Sequence, residues 1–290
     1  MRYTECMPPR LLSGKDLSEK ILASLKPKVK KLDPRLVIVQ VGDEPASTTY
    51  IRKKKEACES IGMRCDLMKL KASTSFKVLI KTIRALNDDA DVTGYIIQLP
   101  LPGALHENEP QLFREIDPYK DVDGFTAYNL GKMFISSEFE HLPPATPAGI
   151  IELLSDAGIK IEGKCAVVVG QSNIVGKPIA TMLLNRNATV IQCHKFTENL
   201  AQYTKQADIL IVAVGKPNLI TSEMVKKGVV VIDVGINTVK GKIVGDVDYD
   251  EVSKFAGAIT PVPGGVGPLT VACLLRNCVR AKERQIDRKS

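Results

Sequence analysis

Apolar residues recur along this chain in two alternating rhythms. Nearly unbroken apolar runs, LVIVQVG at 36–42 and TGYIIQLPLP at 93–102, read as buried strands. Around them, residues 15–31, about Ser47 to Ile61, and about 76–87 space their apolar positions three and four apart, as helices do, with LMKLK between the last two. Strands and helices in alternation predict a parallel sheet covered on both faces. Past residue 130 the pattern turns irregular through HLPPATPAG at 141–149, and a second series begins. CAVVVGQS at 165–172, ATVIQCH at 188–194, ADILIVAVG at 207–215 and GVVVIDVGIN at 228–237 are four further strand candidates, each ending in Gly or a polar residue.

Two α/β domains are therefore expected, with the boundary near 140–150. Residues 1–145 form the first, joined by a C-terminal helix over 270–290 that packs back on it. Residues 146–269 form the second. A chain of 290 residues with 44% hydrophobic and 25% charged content is an ordinary globular protein by composition. No apolar run reaches the roughly 18 residues that span a bilayer, and the opening MRYTECMPPRLLSGKD has no secretory apolar core, so a cytosolic, membrane-free protein is expected. Seven cysteines, Cys6, Cys58, Cys65, Cys165, Cys193, Cys273 and Cys278, are odd in number and never spaced C-x-x-C, which predicts buried reduced thiols and no metal site. The net charge of +7 comes from short lysine runs at 26–31 and 52–55 with no interleaved aromatics and no tryptophan in the chain. An acidic small-molecule substrate or cofactor explains that mild balance as well as nucleic acid does.

Three segments carry candidate chemistry. PVPGGVGPLT at 261–270 packs three prolines and three glycines into eight residues ahead of a helix expected to open at or before Thr270. Such a loop is either a stiff turn or a surface shaped for a ligand. VVVGQSNIVGKP puts Gly170, Ser172 and Gly176 across a strand-to-helix turn, one residue longer than the usual dinucleotide spacing. Glycines there let the backbone approach a pyrophosphate, and the following helix offers free amides, although a plain tight turn reads equally well. The next strand ends Gln192, Cys193, His194, Lys195 with no carboxylate for a ribose 2′-hydroxyl, and a lysine suits a 2′-phosphate, favouring NADP over NAD.

The third segment is VGDEPASTTYIRKKKEACESIG. Tyr50 and Lys54 stand four apart on a helix, near the carboxyl edge of a parallel sheet where ligands bind. A tyrosine there can stack on a heterocycle, and a buried lysine can act as a base. Lysines at 53, 54 and 55 also read as one solvated face. Gln98 ends a buried strand and needs partners or a ligand, whereas Asp121 and Asp123 in KDVDGF read first as loop or capping residues.

Taken together, VGDEPASTTYIRKK, GYIIQLPLP, PYKDVDGF, PATPAGI, VVVGQSNIVGKP, ADILIVAVGKP, VIDVGIN, VGDVD and ITPVPGGVGPLT resemble, in order, the bifunctional methylenetetrahydrofolate dehydrogenase/cyclohydrolases. The resemblance covers nearly the whole chain. It implies two α/β domains with a cleft between them, the second a Rossmann-like NAD(P)-binding domain. It also implies NADP-dependent oxidation of 5,10-methylenetetrahydrofolate to 5,10-methenyltetrahydrofolate, then hydrolysis to 10-formyltetrahydrofolate, within one-carbon metabolism and purine biosynthesis. Positioning carries the oxidative step, which needs no acid or base. By the resemblance Lys54, held by Gln98, assists water attack, Tyr50 stacks on the folate, and Asp123 binds the pterin. Leu99, Pro100, Pro261, Gly264 and Gly265 line the folate, while Thr146, Gly170, Gln171, Ser172, Val175, Lys195 and Ile236 meet the cofactor. A homodimer is expected.

The chain departs from the family pattern at three places. Ala145 stands where many members have Cys, Gln171 where some have Arg, and Ser13 where Asp is common. Two alternatives are a dehydrogenase without cyclohydrolase activity and a basic nucleic-acid-binding protein on a nucleotide-binding fold.

Overall fold

The computed structural model describes residues 8–288. Cys6 and the first seven residues of the opening segment read for targeting lie outside them. The described strands are β1 (Arg10–Leu11), β2 (Arg35–Val41), β3 (Arg64–Leu70), β4 (Gly94–Ile97), β5 (Cys165–Val169), β6 (Thr189–Cys193), β7 (Ile209–Val212), β8 (Val230–Asp233), β9 (Asn237–Val239), β10 (Lys242–Val244) and β11 (Ala258–Ile259). The chain divides into two compact units: Glu19–Ala145 with Val271–Ser290, and Met1–Ser18 with Thr146–Thr270.

In the first unit three parallel strands lie in the order β3-β2-β4. β2 is flanked on both sides and buried over its last six residues, which is why its sequence is a continuous apolar run rather than an alternating one. Val37, Val39 and Val41 pack against Leu79, Ile83 and Leu86 of the helix Phe76–Asp88. β4 stops at Ile97, well short of the apolar run to residue 102. Pro100 and Pro102 have no amide to give a ladder, so Leu101 reaches the core from a loop instead. From Val271 on, the terminal helix Val266–Asp287 belongs to this unit: Asn277 Nδ2 donates to Val122 O and Pro143 O, and Gln285 Nε2 to Thr93 O and Tyr119 O.

The second unit holds a six-stranded parallel sheet, β1-β11-β8-β7-β5-β6. From β5 the chain steps outward to β6, then returns to the other side of β5 as β7. That reversal is where open α/β sheets place ligands, at the carboxyl ends of the strands. Val167, Val169, Leu210, Val212 and Val231 form the core beneath it. β1 takes the edge, pairing Arg10 with Ala258 and Leu11 with Ile259, so residues 8–18 group with 146–270. Two residues carry no periodicity, and the sequence gives no sign of this pairing.

The stretch expected to be irregular contains two helices, Ala127–Ile135 and Ala145–Asp156. Pro147 is the third residue of the latter, in the first turn, where a helix needs no amide. The same physics lets the terminal helix start at Val266, four residues before Thr270, with Pro268 third. Proline clusters that read as breakers are helix starts here. The hairpin β9–β10 was not foreseen; it turns on Lys240 and Gly241, both at positive φ (49° and 77°), the pattern of a type I′ turn. Among the described residues no helix is long and apolar enough to cross a membrane.

Candidate active site

The helix Pro45–Ile61 has well-defined ends. Glu44 Oε2 accepts from the Ser47 amide at 2.7 Å, Pro45 occupies the first position, and Gly62 closes the helix in the left-handed region (φ 75°). Of Arg52, Lys53, Lys54 and Lys55, only Lys54 is buried, at 9% exposure. The lysine run is therefore not one solvated face. Lys54 Nζ donates to Gln98 Oε1 at 3.0 Å, and Gln98 Nε2 donates to Leu99 O at 2.7 Å. Ser47 Oγ also donates to Leu99 O, tying the helix start to the loop after β4. Burial pushes the Lys54 ammonium below its usual range, against the opposing pull of the nearby Asp123 carboxylate. Tyr50 lies one turn earlier, partly buried, its phenol pushed up by burial.

Asp121 and Asp123 divide their labour. Asp121, 1% exposed, accepts from the amides of Gly124, Phe125 and Thr126 and from Asn129 Nδ2, so it builds the loop. Its backbone bridges Tyr95 of β4 in parallel. Asp123, two residues on, lies within electrostatic reach of the Lys54 amine. Burial raises the Asp123 carboxyl to about 6, with Lys54 pulling it down and Asp121 pushing it up. Lys54, Gln98, Asp123 and Tyr50 thus gather in one unit, with Leu99 partly buried and Pro100 exposed beside them.

In the other unit Gly170 sits at φ 132°, and a Cβ there would collide with Ala213 O. A Cβ on Gly176 would collide with Gly170 O, so the two glycines close the turn against each other. Gln192 Nε2 ties Gly170 O at 3.1 Å. Ser172 Oγ accepts from the amides of Val175 and Gly176 at 3.1 and 3.2 Å, which leaves its hydroxyl proton free to donate. Gln171, Ser172 and Lys195 are exposed at the carboxyl ends of β5 and β6, Val175 is partly buried, and Ile236 is 47% exposed. This donor set at a helix start fits a dinucleotide phosphate group. Lys195 Nζ lies 4.8 Å over the Phe196 ring, while His194 Nδ1 accepts from the Phe196 amide. Thr146 Oγ1 pairs with Thr270 Oγ1 at 2.9 Å. The 261–270 loop is fixed from behind: Gly264 O accepts from the amides of Gly14 and Lys15, and a Cβ on Gly265 would crowd Pro261 O.

Two residues with a clear role escaped the sequence reading. Asp233 (4% exposed) accepts from the amides of Gly235, Asp246 and Val247. Asp246 (0%) accepts from the amides of Val214 and Gly215 and from Asn237 Nδ2. These carboxylates hold together the loops after β7 and β8, from which Ile236 projects. Burial raises the Asp233 carboxyl to about 6 against its three amide donors. The available signal was an acid ending an otherwise apolar strand run in VVVID, where solvent exposure is improbable. Among the described residues no cluster of His, Cys, Asp or Glu could hold a metal ion.

Comparison with known proteins matches both units. Residues 12–123 match the family model described as tetrahydrofolate dehydrogenase/cyclohydrolase, catalytic domain, and residues 144–286 that of the NAD(P)-binding domain. The bifunctional protein FolD of Nitratiruptor sp. is 48% identical over 95% of this chain and 99% of its own. The solved bifunctional FolD of Campylobacter jejuni is 47% identical, with a TM-score of 0.90, covering 95% of this chain and 99% of that one. The Trypanosoma brucei dehydrogenase-cyclohydrolase, solved with NADP and an inhibitor, is 33% identical, with a TM-score of 0.91, covering 96% and 99%.

Proposed function

This chain belongs to the tetrahydrofolate dehydrogenase/cyclohydrolase family, and from that premise we propose which of its residues carry the two reactions and which cofactor it uses. It is a bifunctional enzyme of one-carbon metabolism, with an NAD(P)-binding domain, that oxidises 5,10-methylenetetrahydrofolate to 5,10-methenyltetrahydrofolate and hydrolyses that to 10-formyltetrahydrofolate. The buried amine of Lys54 on Gln98 Oε1 is the observation on which the residue assignment rests.

Hydrolysis needs a proton acceptor beside the cationic methenyl carbon. In its neutral form Lys54 Nζ takes the proton of the attacking water, and burial favours that form. A cationic substrate close by lowers the amine's proton affinity further. Gln98 fixes the direction of the amine, because its own amide hydrogen is held by Leu99 O. Tyr50 offers its ring to the flat pterin, and Asp123 offers a carboxylate to the pterin's donors. Leu99, Pro100, Pro261, Gly264 and Gly265 are assigned to folate on the resemblance alone.

The cofactor, when bound, supplies the hydride acceptor for the oxidative step. Gly170, Gln171, Ser172 and Val175 are the residues assigned to its phosphates, with Thr146 and Ile236 assigned to it on the resemblance. Lys195 and the lack of a carboxylate at the end of β6 favour NADP over NAD. A cytosolic homodimer completes the proposal.

One experiment tests the assignment. Methylenetetrahydrofolate is supplied with NADP or NAD, and methenyl formation and decay are followed in the wild type and Lys54→Gln. Retained formation with lost decay is expected. Unchanged decay in the variant would remove Lys54 from the mechanism, and faster formation with NAD would reverse the cofactor preference.

A further inference from the structure

Asn277 lies wholly inside the first unit, at 0% exposure, on the terminal helix Val266–Asp287. Its side-chain nitrogen serves two backbone carbonyls from separate segments, Val122 O at 3.0 Å and Pro143 O at 2.8 Å. Turning the amide over would set its oxygen against both carbonyls, so the orientation is fixed. Oδ1 is buried with no hydrogen-bond partner among the described residues. Replacing the side chain therefore forfeits only the two donations.

Both carbonyls flank Asp123. Val122, the residue before it, is held on three sides. Its side chain fills the place a Cβ on Gly94 would take, its amide donates to Lys120 O at 3.0 Å, and its carbonyl accepts from Asn277. Gly124, the residue after, takes φ 79° and packs so closely on Leu142 O and Pro143 that no Cβ fits. Asn277 thus ties the backbone ahead of Asp123 to the segment packed behind Gly124. Lys120, Asp121, Val122 and Gly124 are buried, and Asp123 alone among residues 120–124 is partly exposed. Among the described residues no hydrogen bond holds the Asp123 carboxylate itself; the charged groups acting on it are Lys54 of the helix Pro45–Ile61 and Asp121 of its own turn. Its direction is left to the pinned backbone on either side.

We propose that Asn277 is a positioning residue for folate binding: by holding Val122 and Pro143 it sets the direction in which the Asp123 carboxylate meets the pterin. The pterin in that statement rests on the role given to Asp123 above; the hold on Asp123 does not. Gln285 supplies an internal control. Its Nε2 also donates twice, to Thr93 O at 2.8 Å and Tyr119 O at 3.1 Å, tying the same helix to the same unit but outside the turn 121–124.

Asn277→Leu and Asn277→Ala, which bracket the volume of the site, are compared with Gln285→Leu and Asp123→Asn in the full-length enzyme. The KM for both folate substrates should rise about tenfold in the Asn277 variants, the size of one hydrogen bond to a charged group. The KM for NADP should stay as it is. Gln285→Leu should lower Tm, as the Asn277 variants do, and leave the folate KM unchanged. In the Asp123→Asn background, Asn277→Leu should add nothing to the folate KM, whereas an independent structural effect would add. Carbon-13 NMR reads the hold without any substrate. The Asp123 carboxyl, assigned by its loss in Asp123→Asn, should titrate near 6 in the wild type and Gln285→Leu and move away from that value in Asn277→Leu and Asn277→Ala. An unchanged folate KM in a folded Asn277 variant, a rise that persists in the Asp123→Asn background, or an equal rise in Gln285→Leu overturns the proposal. A normal folate KM in Asp123→Asn would instead defeat the pterin role of Asp123, and the NMR titration then decides whether Asn277 holds the carboxyl.

Discussion

Lys54 Nζ donates a 3.0 Å hydrogen bond to Gln98 Oε1 across 44 positions of sequence, joining the helix Pro45–Ile61 to the end of β4. Gln98 is itself anchored to Leu99 O, so its oxygen can point only at the amine. Gln98→Leu keeps the volume and removes the anchor. Cyclohydrolase kcat should fall about 10²-fold, as misplacing a reacting group does, while dehydrogenase kcat changes much less. Parallel assays of methenyl decay and formation measure the split.

Asp123 should set the pH at which Lys54 works. Above about 6 the carboxylate is ionised and helps the amine keep its proton. Asp123→Asn removes that help, so the rising limb of the cyclohydrolase pH profile should move to lower pH. Stability gives an independent reading. The folded carboxyl titrates near 6, above the ordinary unfolded value, so its stabilising contribution is full below about 4 and lost as pH rises through 6. Urea midpoints should therefore favour Asp123→Asn over the wild type more at pH 7 than at pH 4.

Gly170→Ala tests the phosphate turn. Its φ of 132° is strained for alanine, and the new methyl meets Ala213 O. A cost of about 1–3 kcal/mol is expected from the backbone alone, read as a lowered Tm. The cofactor KM should rise with it, and the cyclohydrolase rate on preformed methenyltetrahydrofolate should be largely kept.

Lys195→Ala should raise the KM for NADP about tenfold and leave that for NAD unchanged, the size of one exposed charge-assisted contact. Because Lys195 is exposed, the difference should shrink as salt is added. Equal effects on both cofactors would remove Lys195 from 2′-phosphate recognition.

Asp246→Asn should destabilise the second unit without touching any ligand. Its Oδ2 accepts from two amides and its Oδ1 from Asn237. An amide nitrogen in either place faces a donor, which leaves a buried group unpaired at about 1–3 kcal/mol. Denaturant unfolding measures the loss.

Much of the fold was legible because the strands of a doubly covered parallel sheet are continuous apolar runs, as in β2 and β5. Ends were less so. Pro147 and Pro268 look like breakers and open helices, since a first-turn residue needs no amide. β1 was invisible because two residues have no period. Tyr50 and Lys54 could be placed on one helix face by spacing, but Lys53, Lys54 and Lys55 could not be told apart, because which lysine is buried depends on what packs against the helix.

The sequence alone determined the two α/β series, the glycine-serine turn, and the family pattern that ties them to folate and a nicotinamide cofactor, because propensity, periodicity and turn chemistry act over a few residues. Only the tertiary structure decided which lysine loses water, that Asp121 builds the loop from which Asp123 is presented, and that Asp233 and Asp246 knit two distant loops. Burial and hydrogen-bond partners are set by residues far apart in the chain, and no local pattern contains them.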